Sequence, residues 1–173
     1  MARLYILRHG KTELVSATGI DFDRNLVQRG ERNSTQIGKM IADHMPKPQL
    51  IIFSPANRTR QTAELVMREL PDAECIEDRR IYNAEGETLF DVITDHGFDY
   101  ERVMLIGHNP GLIVLLHLLM AEDGNRGSHS IVDFPSASFA EMVFEPDTFG
   151  QVNLDSGVLM RLLRPRDMTT TSA

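Results

Sequence analysis

Two histidines occupy matching places in two short patterns, each an apolar run that ends in a tight turn. Leu4-Tyr5-Ile6-Leu7 leads into Arg8-His9-Gly10, and Val103-Met104-Leu105-Ile106 leads into Gly107-His108-Asn109-Pro110-Gly111. An imidazole at such a point is a nitrogen nucleophile, and the neighbouring glycine lets a ligand approach the backbone closely. Between them in the chain, Ser54-Pro55-Ala56-Asn57-Arg58-Thr59-Arg60 puts two arginines at the start of an expected helix, where free N–H groups and the positive end of the dipole already favour an anion. Each pattern alone has a plain reading: a strand-end turn, a capped and solvated helix start, a histidine satisfied in the core. Together they supply what transfer of a phosphoryl group needs, one nitrogen to attack in line and cationic or N–H donors around the equatorial oxygens.

Period and breakers place these residues on an alternating scaffold. Strands are expected at Arg3–Leu7, Leu50–Phe53, Ala73–Ile76 and Arg102–Ile106. Helices are expected at Arg29–His44, Asn57–Leu70, Thr88–His96, with Thr88 and Asp91 as a capping box, and Leu112–Met120, with His117 packed in a core helix. Ser138–Phe144 and Val158–Leu163 alternate as strands and pair as a hairpin. Strands alternating with helices imply an α/β three-layer sandwich, a mostly parallel central sheet with helices on both faces, which binds ligands at the carboxyl ends of its strands. At 173 residues the expectation is one domain over 1–164, followed by a frayed tail over 165–173.

Composition removes several classes. Eighteen Lys and Arg against 25 Asp and Glu give a formal net charge of −7, which argues against a general electrostatic grip on nucleic acid or anionic lipid, so phosphate chemistry must use a local basic pocket. The lone Cys75 excludes an intrachain disulfide and fits a reducing cytoplasm. The apolar runs are too short for a signal peptide core or a membrane span. The six histidines, at 9, 44, 96, 108, 117 and 129, include no His-Glu-x-x-His pattern, so no metal is expected. His44 and His96 close helices, where a histidine complements the C-terminal dipole. Neither a P-loop nor a Gly-x-Gly-x-x-Gly fingerprint is present, and the nine methionines read as core filler.

Leu7-Arg8-His9-Gly10-Lys11, Ser54-Pro55 through Arg58 to Gln61-Thr62-Ala63, and Gly107-His108-Asn109-Pro110-Gly111 resemble the histidine phosphatase superfamily, with its phosphoglycerate mutase-like fold. The Asp23-Arg24-Asn25-Leu26 segment followed by Gly30, together with Ile81-Tyr82-Asn83-Ala84, is most similar to its small SixA-type branch of phosphohistidine phosphatases; the likeness spans residues from about 4 to 112. It implies that His9 is the nucleophile, that Arg8 and Arg58 hold phosphoryl oxygens, and that His108 is the second histidine of the pocket. Neighbouring guanidinium groups should keep His9 neutral and bind the incoming dianion, and one His9 nitrogen should be held by a backbone carbonyl. Gly10 and Asn109 are further candidate substrate contacts. Arg24 has two readings, a phosphate ligand or part of a surface turn, and Arg60 points to solvent or an ion pair.

Larger members of that family protonate the leaving alkoxide with a glutamate, and Glu77, Glu85 and Glu87 carry no such motif here; Glu85 is the first candidate should one face His9. A site without a dedicated acid suits a phosphoramidate nitrogen better than an alkoxide. The resemblance therefore implies a cofactor-independent phosphatase acting on phosphohistidine of a phosphotransfer protein; composition adds the expectation of a cytoplasmic location, and an acidic surface with no sign of an obligate interface that of a monomer. The alternatives are a phosphomonoesterase for a small metabolite and a non-catalytic phosphate-binding module.

Overall fold

The computed structural model describes residues 1–121 and 133–168. Its strands are β1 (Arg3–Arg8), β2 (Leu50–Phe53), β3 (Glu74–Glu77), β4 (Arg102–Gly107), β5 (Phe139–Val143) and β6 (Val158–Leu163), joined in one sheet of order β3-β2-β4-β1-β5-β6. The first four in that order are parallel; β5 runs antiparallel to β1, and β6 antiparallel to β5 as the expected hairpin. The helices are α1 (Gln28–His44), α2 (Asn57–Met67), α3 (Gly86–Gly97), α4 (Gly111–Leu119) and the single turn α5 (Pro165–Met168).

Alternation along the central strands sorts the core into two layers, because successive side chains leave a strand on opposite faces. Leu4, Ile6, Leu50, Ile52, Val103 and Leu105 pack against α3 and α4 through Leu89, Val92, Ile93, Leu112, Leu115 and Leu116. Tyr5, Leu7, Ile51, Met104 and Ile106 meet α1 and α2 through Ile37, Ile41, Ala63 and Val66. Each such aliphatic side chain contributes about 1.5–3 kcal/mol when fully buried, so both faces must be covered, and the three-layer α/β architecture follows.

Three expectations change. Helix α3 begins at Gly86, with Glu85 as its N-cap, two residues before the expected start, so Thr88 and Asp91 form no capping box. The reason is close packing: a Cβ on residue 86 would lie 2.7 Å from Val114 Cγ1 and 2.9 Å from the Leu115 nitrogen, so the helix starts where a glycine permits contact with α4. His117 is exposed, because the buried stripe of α4 runs through Leu112, Leu115, Leu116 and Leu119 and leaves residue 117 on the other side. The frayed tail does not start at Pro165: the first residues form α5, whose Asp167 carboxylate accepts from the Arg164 N–H at 2.8 Å. Residues 169–173 and His129 lie outside the described residues.

One contact joins the fold to the loop after β1. Val27 N–H donates to the Lys11 carbonyl at 2.9 Å, and a Cβ on Gly30 would fall 2.2 Å from that same oxygen. Two backbones meet there, so neither can yield by a rotamer change. Gly30→Ala should lower stability by roughly 1–3 kcal/mol through overpacking, read as a lower urea midpoint at unchanged m-value. An unchanged midpoint would show that α1 is not seated on this loop.

Candidate active site

Sheet register brings the two histidines together. Arg8 stands opposite Gly107 across the β1–β4 pair, so His9 and His108 leave their strands at the same height, and their ring centroids lie 5.3 Å apart. Phe53 stands opposite Ile106 on the other side of β4, so Ser54 comes to the same level, and its hydroxyl pairs with His108 Nε2 at 2.7 Å. Arg58 follows in the first turn of α2. Three parallel strand ends thus meet at one rim, as the sequence implied.

Both imidazoles are almost fully buried, at 7% exposure each. His9 Nδ1 lies 2.8 Å from the Gly10 carbonyl, which can only accept, so Nδ1 carries the proton and Nε2 keeps its lone pair. The expected backbone carbonyl is therefore its own neighbour's. Burial pushes the His9 pKa down to about 3; the Gly10 carbonyl opposes this, and the charges of Arg58, Arg8 and Arg24 reinforce it. The direction is the expected one, but desolvation leads and the guanidinium groups come second. Burial likewise lowers His108 to about 3, helped by His9, Arg58 and Arg8. The Ser54 hydroxyl and His108 Nε2 share one hydrogen bond, and among the described residues the buried Nδ1 of His108 has no protein partner.

Four cations, Arg8, Lys11, Arg24 and Arg58, line a hollow of ≈ 330 Å³ with both histidines, Asn83 and Asn109. Arg8 is fixed by donating to the Phe134 carbonyl at 2.9 Å, and Asn109 donates to the same oxygen at 2.8 Å. Arg58 is buried, and its two terminal nitrogens donate to the Asp21 carbonyl and carboxylate at 2.6 and 2.9 Å. Arg24 donates to the other Asp21 oxygen at 2.9 Å and to Thr12 Oγ1 at 2.5 Å, so it belongs to the hollow while also closing a turn. The hydrogen bond from Arg24 and the charge of Arg58 hold Asp21 below the usual carboxylate range.

Gly10 plays a different part from a substrate contact. Its N–H is taken by Thr62 Oγ1 at 3.0 Å and its carbonyl by His9, so it positions the imidazole, and it is not among the lining residues. Glu85 lines an adjoining hollow of ≈ 540 Å³ with Glu87, His108 and Asn109, and not the one that holds His9. Arg60 pairs with Glu77 at 2.9 Å, as expected for a residue turned away from the site.

Sequence reasoning missed Asp21, the one carboxylate among the described residues lining the His9 hollow, although its place three residues before Arg24 was a legible pairing signal. Tyr82 was quoted without a role; its ring stands edge-on to His108 at 5.6 Å, its face lies 5.9 Å from the Arg58 guanidinium, and its hydroxyl donates to Asp21 at 3.2 Å. Among the described residues, no group of three or more His, Cys, Asp or Glu side chains is placed to hold a metal, and no helix is long and apolar enough to cross a membrane.

An α/β sheet carrying a neutral, buried imidazole among arginines at its strand ends defines a class of phosphoryl-transfer protein. Residues 4–102 match the histidine phosphatase superfamily (branch 1), and the chain belongs to that superfamily and is a phosphatase. It resembles a protein of Agrobacterium tumefaciens assigned as the phosphohistidine phosphatase SixA, 29% identical, with a TM-score of 0.79 over 95% of this chain and 98% of that one. The protein histidine phosphatase SixA complexed with tungstate shares the fold at 17% identity, with a TM-score of 0.76 over 96% and 99% of the two chains. So does a mycobacterial glucosyl-3-phosphoglycerate phosphatase, at 15% identity and a TM-score of 0.65 over 93% and 98%.

The depressed histidine pKa values have two consequences. In the unfolded chain both groups should titrate near 6.5, and in the native state near 3. Between those values the unfolded state binds protons that the native state does not, so stability rises with pH and is lost as pH falls from about 6.5 toward 3. Chemical denaturation across that window should show the loss, and His108→Gln should flatten it. Imidazole nitrogen NMR should find His9 uncharged at pH 5, and a titration centred near 6.5 would contradict the electrostatics described.

Proposed function

We propose that the chain hydrolyses phosphohistidine on a phosphotransfer protein through a phospho-His9 intermediate, without a cofactor. The observation that carries this reading is His9 itself: buried, uncharged, Nδ1–H engaged by the Gly10 carbonyl, Nε2 left with a lone pair beside Arg8 and Arg58. In the first step Nε2 attacks phosphorus in line, the bond from phosphorus to the substrate nitrogen breaks, and the departing imidazole takes a proton. In the second, water attacks phosphorus, the bond to Nε2 breaks, and phosphate leaves with the oxygen of that water. Arg8, Arg58 and His108 would surround the equatorial oxygens, with Arg24 joining them from the same lining.

The preference for a phosphoramidate rests on the absence, among the described residues, of a carboxyl group beside His9 that keeps a proton. Asp21 is the carboxylate lining the pocket, and Arg24 and Arg58 keep it ionised, so it has no proton to give an alkoxide. A histidine leaving group accepts its proton more readily. The similarity to SixA-type structures supports the same substrate class. Hydrolysis of a small phosphate monoester is the second reading, favoured by the hollow that places Glu85 and Glu87 beside His108 and by the fold shared with a metabolite phosphatase. A cytoplasmic monomer that binds no nucleic acid or membrane is part of the proposal, and one domain over 1–164 goes with it.

A single turnover with a ³²P-labelled phosphohistidine protein tests the mechanism. The enzyme should trap label in an acid-labile, alkali-stable bond, and His9→Ala should trap none. Arg58→Ala should lower kcat/KM by about 10²–10³-fold, the loss typical of an oxyanion donor. Wild-type turnover by His9→Ala would overturn the mechanism, and faster cleavage of monoesters than of phosphohistidine or phosphoramidate would move the assignment to the second reading.

A further inference from the structure

We propose that the catalytic pocket continues into a second anion-binding subsite, built from Arg29, Lys11, Arg164 and Arg166, which receives a carboxylate or phosphate group carried by the substrate beside its scissile phosphoryl group. It deepens the phosphatase reading and rests on it for the meaning of "scissile".

The four cations and Asp133 line a separate hollow of ≈ 280 Å³. Lys11 and Ser136 line this hollow and the one around His9 alike, so the two are neighbours across a shared wall. Among the described residues, four cations line this hollow against the carboxylate of Asp133, with Asp167 beside Arg166, on a chain whose formal net charge is −7. At physiological ionic strength charges act over about 8 Å, so a local cluster decides what binds there, whatever the overall sign.

The cations are unevenly neutralised. Arg164 donates from Nε to the Asp133 carbonyl at 3.2 Å and lies 4.0 Å from its carboxylate, and Arg166 stands 3.8 Å from Asp167. Among the described residues, neither Lys11 nor Arg29 has a carboxylate within ion-pair distance, and both are exposed. Arg29 also occupies the first turn of α1, where the helix dipole disfavours a cation, so its charge is not there to support the helix. Its place is fixed all the same, because the neighbouring Gly30 is pressed against the Lys11 backbone.

The opposite character of the other adjoining hollow gives the site a direction. Glu85 and Glu87 line the space next to His108 and Asn109, and that space shares none of its lining residues with the basic hollow. A substrate with a second negative group is repelled from one and drawn to the other, which fixes how it lies over His9.

The test uses Arg29→Gln/Arg166→Gln, two substitutions outside the catalytic hollow, with Arg29→Lys as the variant that keeps the charge. Calorimetric binding of tripolyphosphate should weaken about tenfold in the double variant, while orthophosphate, which fits the catalytic hollow alone, stays within about twofold; Arg29→Lys should bind both as the wild type does. Turnover is then compared for phosphohistidine peptides flanked by Glu or by Gln, and for a bisphosphorylated against a monophosphorylated ester. A rise in KM at constant kcat for the Glu-flanked peptide assigns the subsite to acidic protein substrates, and the same rise for the bisphosphate assigns it to a metabolite. Equal effects on both members of each pair, or unchanged tripolyphosphate binding, would overturn the subsite. Should the wild type turn over no substrate while tripolyphosphate still discriminates between the proteins, the subsite stands and the catalytic reading falls.

Discussion

The site depends on holding one imidazole uncharged where four cations converge. Arg8, Arg24, Arg58 and Lys11 all line the hollow around His9, and burial, reinforced by the charges of Arg58, Arg8 and Arg24, removes the proton that would silence Nε2. In the proposed mechanism the same charges attract a phosphoryl dianion, so activation of the nucleophile and capture of its target are one electrostatic arrangement. Such an arrangement is costly when empty, because cations crowd together out of water. Burial and Arg58 already pull the Arg8 pKa down, a sign of that strain. Asp21 offsets it by bridging Arg58 and Arg24 with its two carboxylate oxygens.

A carboxylate on those guanidinium groups occupies donors that a phosphoryl oxygen would use. Tyr82 completes the local structure: its hydroxyl holds Asp21, its ring lies against both Arg58 and His108, and Phe22 packs edge-on to it at 5.0 Å. The turn Asp21–Asp23 is therefore tied to the site by an anion and an aromatic contact. The arginines are organised before substrate arrives, and Asp21 must give way or share when it does.

What the sequence disclosed and what it hid divide along a physical line. His9, His108 and Arg58 were legible because each follows an apolar strand at a fixed offset, and strand register converts that offset into spatial position: Arg8 opposite Gly107 and Phe53 opposite Ile106 leave little freedom. The two-layer core was legible for the same reason, since period-2 alternation is a property of the strand alone. Asp21, Tyr82 and the Phe134 carbonyl that anchors both Arg8 and Asn109 belong to segments with no period, and their positions are set by the fold that surrounds them. The start of α3 was placed two residues late because Thr88 and Asp91 read as a capping box, whereas the missing side chain of Gly86 lets α3 begin earlier and meet α4. Gly10 looked like a place where substrate meets backbone, yet both its polar groups are already engaged inside the protein.

The leaving group is where geometry and electrostatics constrain the chemistry most. A group that protonates an alkoxide must hold a proton near neutral pH, and among the described residues the pocket offers two neutral imidazoles, four cations and one ionised carboxylate. The imidazoles cannot serve as strong acids when their cationic forms are this disfavoured, and the carboxylate has lost its proton to the same arginines that help keep His9 uncharged. Strengthening the nucleophile and storing an acidic proton are thus opposed within a single field. A phosphoramidate avoids the conflict because its nitrogen brings its own basicity. If His9 is the nucleophile, as proposed, the electrostatics that keep it uncharged also favour the kind of bond it would break.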